Sequence, residues 1–241
     1  MEYKLKNDLQ SCTRIVSFGC SMTVGQELSD YVLGSYSNKS WAAKIAAIYD
    51  KQYISYANEG AGNDCITRKV MHYVHNDAQP GDFIVIGWSG LSRREFYFSS
   101  ENRYINMLPN HRTIVPGKIT PAKEAMFSAF ENILAESSDL SDIELFANQC
   151  TLLYSFLEFK NIPFLMTSSL WNPRRMPSDE HLPVCNTNTD MIQSLKKFYT
   201  KGSLMSMCWN ANIQKHPGGH PVELGHKLWA NIISDWYNNE T

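Results

Sequence analysis

A chain of 241 residues, 43% of them hydrophobic and 12% aromatic, has enough apolar mass for one sizeable buried core and too many core formers to stay disordered. Lys and Arg number 22 against 24 Asp and Glu, a formal net charge of -2, so no chain-wide basic field exists to hold nucleic acid or an anionic membrane surface. The six cysteines, Cys12, Cys20, Cys65, Cys150, Cys185 and Cys208, are scattered without a CxxC pair, which is the usage expected of free thiols in a reducing compartment.

The N-terminal stretch MEYKLKNDLQSCTR mixes both charge signs and has no apolar h-region, and no window of the chain approaches ~18 uninterrupted apolar residues. The expectation is a soluble protein, cytoplasmic or otherwise, with no signal peptide and no membrane-spanning segment. A short apolar run opening at Arg14 then ends abruptly in Gly19-Cys20-Ser21, with Thr23 and Gly25 close behind, a pattern that reads as a buried strand turning into a helix. In α/β proteins that junction is where reactive side chains stand.

Helical spacing over Trp41 to Asp50 is followed by a second strand, Gln52 to Ala57, and a helix over Asp64 to Val74. Asp82 to Trp88, a continuous apolar run after the Pro80-Gly81 turn signal, reads as a central parallel strand. Residues 95–121, with little periodicity and several prolines and aromatics, read as a loop excursion. Helices are expected over Pro121 to Glu136 and Ser141 to Lys160, a strand over Ile162 to Ser169, and a second loop excursion over 171–189. HPVELGHKLWANIISDWY closes the pattern as a helix, with Leu228, Ile232 and Ile233 on one face. Strands alternating with helices require crossover connections, so one domain over 1–241 is expected, a three-layer α/β/α sandwich around a central parallel sheet.

Two distant segments could carry chemistry. Ser21, at the carboxyl edge of the first strand, has helix-start N–H groups behind it and suits a nucleophile. His220 lies in a loop of Gly218, Gly219 and Pro221 just ahead of the last helix, where an imidazole could take the serine proton and return it to a leaving group.

With these residues in place the chain resembles the SGNH (GDSL-like) hydrolases. The first block of that family, Gly-Asp-Ser-x-Thr-x-Gly, is similar to Gly19-Cys20-Ser21-Met22-Thr23-Val24-Gly25; the last, Asp-x-x-His with a following Gly-His, is similar to His220 with Gly225 and His226. Asn58-Glu59-Gly60 resembles the second block, and the third falls on Gly87-Trp88-Ser89-Gly90. The resemblance implies the flavodoxin-like SGNH fold and a serine esterase working through an acyl-enzyme without cofactor or metal. Ser21 would be the nucleophile and His220 the base, and the oxyanion hole would draw on the N–H groups of Ser21 and Gly60 and on Ser89. The substrate implied is a small carboxylic ester, such as an O-acetyl group on a carbohydrate.

Three departures qualify the pattern. Cys20 replaces the Asp beside the nucleophile, and Ser89 replaces an Asn whose amide would be the third oxyanion donor, a role open to a neighbour such as Asn63. Pro217 stands where the triad acid should be, so a carbonyl or a distant carboxylate orients His220, or the site is slow. The alternative function is a catalytically impaired binding protein that keeps the fold and its pocket.

Several neighbours have plainer readings. Cys20 could itself be a nucleophile near a helix start, although a buried cysteine is usually a small hydrophobe. His216 and His220 stand at a zinc-chelating helical spacing, but Pro217-Gly218-Gly219 breaks any helix between them. His226, His72 and His75 read as structural. Arg93 and Arg94 could clamp a substrate carboxylate or sugar hydroxyls, or stay solvated. Trp88, Tyr97, Trp171 and Trp209 could stack on a sugar or pack.

Overall fold

The computed structural model describes residues 8–108, 120–136, 139–170, 195 and 197–240. Their elements run α1 (Asp8–Ser11), β1 (Arg14–Gly19), α2 (Ser21–Val24), α3 (Trp41–Ile48), β2 (Gln52–Ser55), α4 (Asn63–Asn76), β3 (Asp82–Trp88), β4 (Arg94–Phe98), β5 (Arg103–Met107), α5 (Pro121–Glu136), α6 (Asp139–Phe159), β6 (Phe164–Ser168), β7 (Phe198–Ser203), α7 (Leu204–Asn210) and α8 (Glu223–Glu240). Among these residues no helix is long and apolar enough to cross a membrane.

Five strands form a wholly parallel sheet in the order β2-β1-β3-β6-β7, flanked by helices, which is the α/β/α architecture expected. From β1 the chain moves one way to β2 and then back past β1 to β3. Right-handed crossovers therefore put α3 and α4 on opposite faces, and the sheet reverses direction between β1 and β3. A crevice opens at the carboxyl ends of strands at such a reversal, and Ser21 and Ser89 follow the two strands that flank it. Their register pairs Gly19 with Gly87.

The central strands are buried on both faces, as their unbroken apolar runs require: Ile15, Val16, Phe83, Ile84, Val85, Ile86, Phe164, Leu165 and Met166 have no exposed surface. Against one face α3 packs with α8, and against the other α4 packs with α6.

The excursion expected at 95–121 is partly ordered structure. Glu95 to Met107 belongs to an antiparallel hairpin of β4 and β5, whose Ile105 and Met107 join Phe127 and Phe130 of α5 in a small separate core. Residues 109–119 and 171–189 lie outside the described residues. The last helix begins at Glu223, leaving His220 in the loop before it. Strand β7 and helix α7 carry no clear periodicity in sequence; α7 is held by a capping box between Ser203 and Ser206.

Candidate active site

Chain direction changes at Cys20, whose extended backbone lets Ser21 start the short helix α2. Ser21 is 5% exposed, and its hydroxyl makes no hydrogen bond among the described residues. Its carbonyl accepts the N–H of Gly25 at 3.0 Å and of Gln26 at 3.1 Å, which ties the turn after α2 to the serine. Beneath it Thr23 wedges between two strands: a Cβ on Gly19 would stand 2.2 Å from Thr23 Oγ1, and one on Gly87 would stand 2.4 Å from it. Only glycine fits at either strand end, which explains the small residues before Cys20 and before Trp88.

Position 217 offers His220 no acid, but the carboxylate of Glu27 reaches its ring. Its Oε2 lies 2.6 Å from His220 Nδ1 and its Oε1 accepts the Gly218 N–H at 2.9 Å, with a weaker contact from the His220 N–H at 3.4 Å. Burial alone would raise this carboxyl, but the hydrogen bonds from the His220 ring and the Gly218 amide outweigh it and hold Glu27 below its ordinary value. An ionised carboxylate can only accept, so Nδ1 carries the proton and Nε2 is left as the basic nitrogen. Glu27 is also one of the few residues other than glycine at positive φ, 68°, a conformation costing on the order of 1 kcal/mol. Gly218 makes the room, since a Cβ there would stand 2.5 Å from Glu27 Oε2. The His220 loop is thereby fixed to the segment that carries Ser21.

Gly60 is buried at φ 68° in the loop between β2 and α4, and the N–H of Asn58 in that loop reaches the Gly19 carbonyl at 3.0 Å. Ser89 has no exposed surface and its hydroxyl accepts from Arg93 Nη1 at 3.1 Å. Its N–H donates to Asn63 Oδ1 at 2.8 Å. Asn63, the first residue of α4 and 3% exposed, has its amide orientation set by that bond, and its Nδ2 has no hydrogen-bond partner among the described residues.

Other sequence candidates have structural roles. His226 is fully buried; its Nδ1 accepts the Trp41 N–H at 3.1 Å, capping α3, and burial pushes the ring down to about 3. Cys20 is buried, as are Cys12, Cys65, Cys150 and Cys208, all with free thiols. His72 and His75 are exposed on α4. His216 and His220 face each other through the backbone, the His216 N–H donating to the His220 carbonyl at 2.8 Å. Arg94 is taken up by Asp142 and by the carbonyls of Leu91 and Arg93. Trp88 is a core residue packed edge-on against Phe146, whereas Tyr97 pairs with Tyr104 and Trp209 lies exposed under Lys215. Trp171 lies outside the described residues.

Glu27 was within reach of sequence reasoning only through indirect signals. They are a Pro-Gly-Gly loop that leaves room beside the histidine and an acid directly after the turn that closes the nucleophile block.

Solved structures with the same fold include a member of the lipolytic protein G-D-S-L family from Veillonella parvula DSM 2008, 11% identical with a TM-score of 0.53, covering 94% of this chain and 98% of that one. Another is TesA, 9% identical with a TM-score of 0.54, covering 95% of this chain and 99% of that one. No curated protein matches the chain in sequence. The model of one family, described as a family of unknown function (DUF6071), matches residues 23–240, a span that holds Glu27, Asn63 and His220 and opens just beyond Ser21. The chain belongs to that family, DUF6071.

Proposed function

We propose that this protein is a serine ester hydrolase that cleaves a small carboxylic ester through an acyl-enzyme. The observation that carries the reading is the Glu27 carboxylate on His220 Nδ1 at 2.6 Å, because it supplies the one triad function the sequence pattern lacks. A pocket kept only for binding has no need of an ionised acid aimed at a histidine. The neighbours' description as lipolytic adds support.

In this mechanism the Ser21 hydroxyl attacks the ester carbonyl and gives its proton to His220 Nε2, while Glu27 holds the ring and stabilises the imidazolium. The negative charge that develops on the carbonyl oxygen is met by the N–H groups of Ser21 and Gly60. For the third donor we assign Asn63 Nδ2, which has no partner among the described residues, in preference to the short Ser89 hydroxyl, which has no exposed surface and whose oxygen is held by Arg93 Nη1. Ser89 then acts from behind, its N–H orienting the Asn63 amide. Collapse of the intermediate breaks the ester C–O bond, and the departing alcohol takes the proton from His220. Water, deprotonated by the same histidine, then releases the acid and restores Ser21.

The test is p-nitrophenyl acetate turnover together with labelling by a fluorophosphonate. The wild-type protein should react with both, the label should map to Ser21, and Ser21→Ala, His220→Ala and their double variant should lose activity to a similar floor. Additive losses, or a label on Cys20, would overturn the assignment.

A further inference from the structure

The described arginines divide sharply by partner. Arg14 is paired with Asp82, Arg68 with Glu95, Arg94 with Asp142 and Arg103 with Glu101. Arg93 alone among them has no carboxylate partner among the described residues. Its guanidinium makes one side-chain hydrogen bond, from Nη1 to Ser89 Oγ at 3.1 Å. A half-buried guanidinium has five N–H donors in a planar fork, and one bond to a neutral hydroxyl leaves most of them and the whole charge unanswered among the described residues.

Its placement is what gives this vacancy meaning. Arg93 follows the carboxyl end of β3, on the side of the sheet reversal opposite Ser21, and holds the hydroxyl of the residue whose N–H orients Asn63. Its own backbone is clamped: its carbonyl accepts from Arg94 at 3.0 Å and lies against Gly62 at the start of α4, where a Cβ would approach it to 2.8 Å. The acid nearest in sequence to Asn63, Asp64, does not answer it, because that carboxylate accepts the N–H groups of Cys65 at 2.9 Å and Glu95 at 2.6 Å.

We propose that Arg93 is the recognition group for a carboxylate on the substrate, so that the ester hydrolysed carries a negative charge beside its reacting carbonyl. This rests on the hydrolase reading above and names its substrate class. A planar carboxylate can accept two parallel bonds from the guanidinium edge, the pairing that Arg14 makes with Asp82 and Arg68 with Glu95 inside the protein. The positive charge beside the oxyanion donors also favours an anion that gains charge as it reacts.

Two matched ester pairs test this: monoethyl against diethyl succinate, with the charge on the acyl side, and 3-acetoxybenzoate against its methyl ester, with the charge on the alcohol side. In at least one pair the wild-type kcat/KM should favour the anionic ester by roughly 10- to 100-fold, the worth of a charge-assisted bidentate contact. In Arg93→Gln, which keeps a donor for Ser89, that ratio should fall towards one, and in Arg93→Lys it should stay partly above one. A wild-type protein without preference in either pair, or an Arg93→Gln protein with an unchanged ratio, overturns the inference and leaves the hydrolase reading intact. If no ester is turned over and Ser21 takes no fluorophosphonate, the hydrolase reading fails on its own. Calorimetry with succinate and 3-hydroxybenzoate then decides: binding to the wild-type protein that Arg93→Gln removes supports a carboxylate site, and no binding overturns it.

Discussion

Glu27 and His220 meet across 193 residues of sequence, and the carboxylate that orients the ring also takes the Gly218 amide of the same loop. One acid therefore sets both the tautomer of the ring and the position of the loop that carries it.

Replacing that acid should be nearly as damaging as removing it. Glu27→Gln can offer Nδ1 the wrong partner and cannot stabilise an imidazolium, so kcat/KM on p-nitrophenyl acetate should fall by about 10³- to 10⁴-fold, as when a triad acid is neutralised. Full activity in Glu27→Gln would show that another group orients His220.

Pro217→Asp places a carboxylate at the position the SGNH pattern uses. With the Nδ1 proton already taken by Glu27, activity should stay level or fall. A gain of several-fold would mean that Glu27 does not serve the ring in solution.

Gly218→Ala drives a methyl group to 2.5 Å from Glu27 Oε2 in an exposed loop that can shift without unfolding the core. A misplacement of about 1 Å in catalytic geometry can cost about 10²-fold in rate. The variant should lose activity at unchanged melting temperature, and equal loss of both would point to a wider collapse of the loop.

For the oxyanion donors, Asn63→Ala should lower kcat by about 10²- to 10³-fold, the range for a well-placed side-chain donor. Ser89→Ala keeps the N–H that orients Asn63 and should cost less. A Ser89→Ala loss as large as that of Asn63→Ala would return the donor role to the Ser89 hydroxyl.

Stability should fall as the solution becomes mildly acidic, because of His226. Its buried ring, pushed down to about 3, stays neutral in the fold while the unfolded chain takes up a proton below the ordinary 6.5. Between those values the unfolded state binds more protons, so lowering the pH costs about 1.4 kcal/mol per unit and raising it above 6.5 gains nothing further. Glu27 acts in a separate window: held below its ordinary 4.5, it contributes above that pH and the contribution is lost as pH falls through the lower folded value. Denaturant melts from pH 7.5 to 5 on the wild-type protein and on His226→Asn, which keeps an acceptor for the Trp41 N–H, isolate the first effect. An equal slope in both proteins would refute it.

Much of this was legible in sequence because it depends on local pattern. The unbroken runs at Asp82–Trp88 and around Val16 had to be covered strands, and a Gly-bounded strand ending in Ser21 had to stand at the sheet edge. The hairpin Arg94–Met107 was hidden because its alternation is interrupted by Arg94, Glu95 and Arg103, which serve ion pairs with Asp142, Arg68 and Glu101. Glu27 was hidden for a different reason: spacing rules describe neighbours in sequence, and this carboxylate works on a residue at the far end of the domain. The role of Asn63 likewise depends on a cross-loop bond to Ser89 that no period encodes.

The span between Glu27 and His220 also has a meaning in time. A ribosome adding about 5 to 20 residues per second needs roughly 10 to 40 seconds to make the 193 residues that separate them. For much of that interval the segment Arg14–Val24 that holds Ser21 can already be outside the ribosome, while His220 has yet to be made. Under the proposed mechanism, the hydroxyl gains its base only when the loop carrying Gly218 and His220 docks onto Glu27, so a nascent or cut-short chain would hold an unactivated serine and assembly of the fold would itself be the activating event.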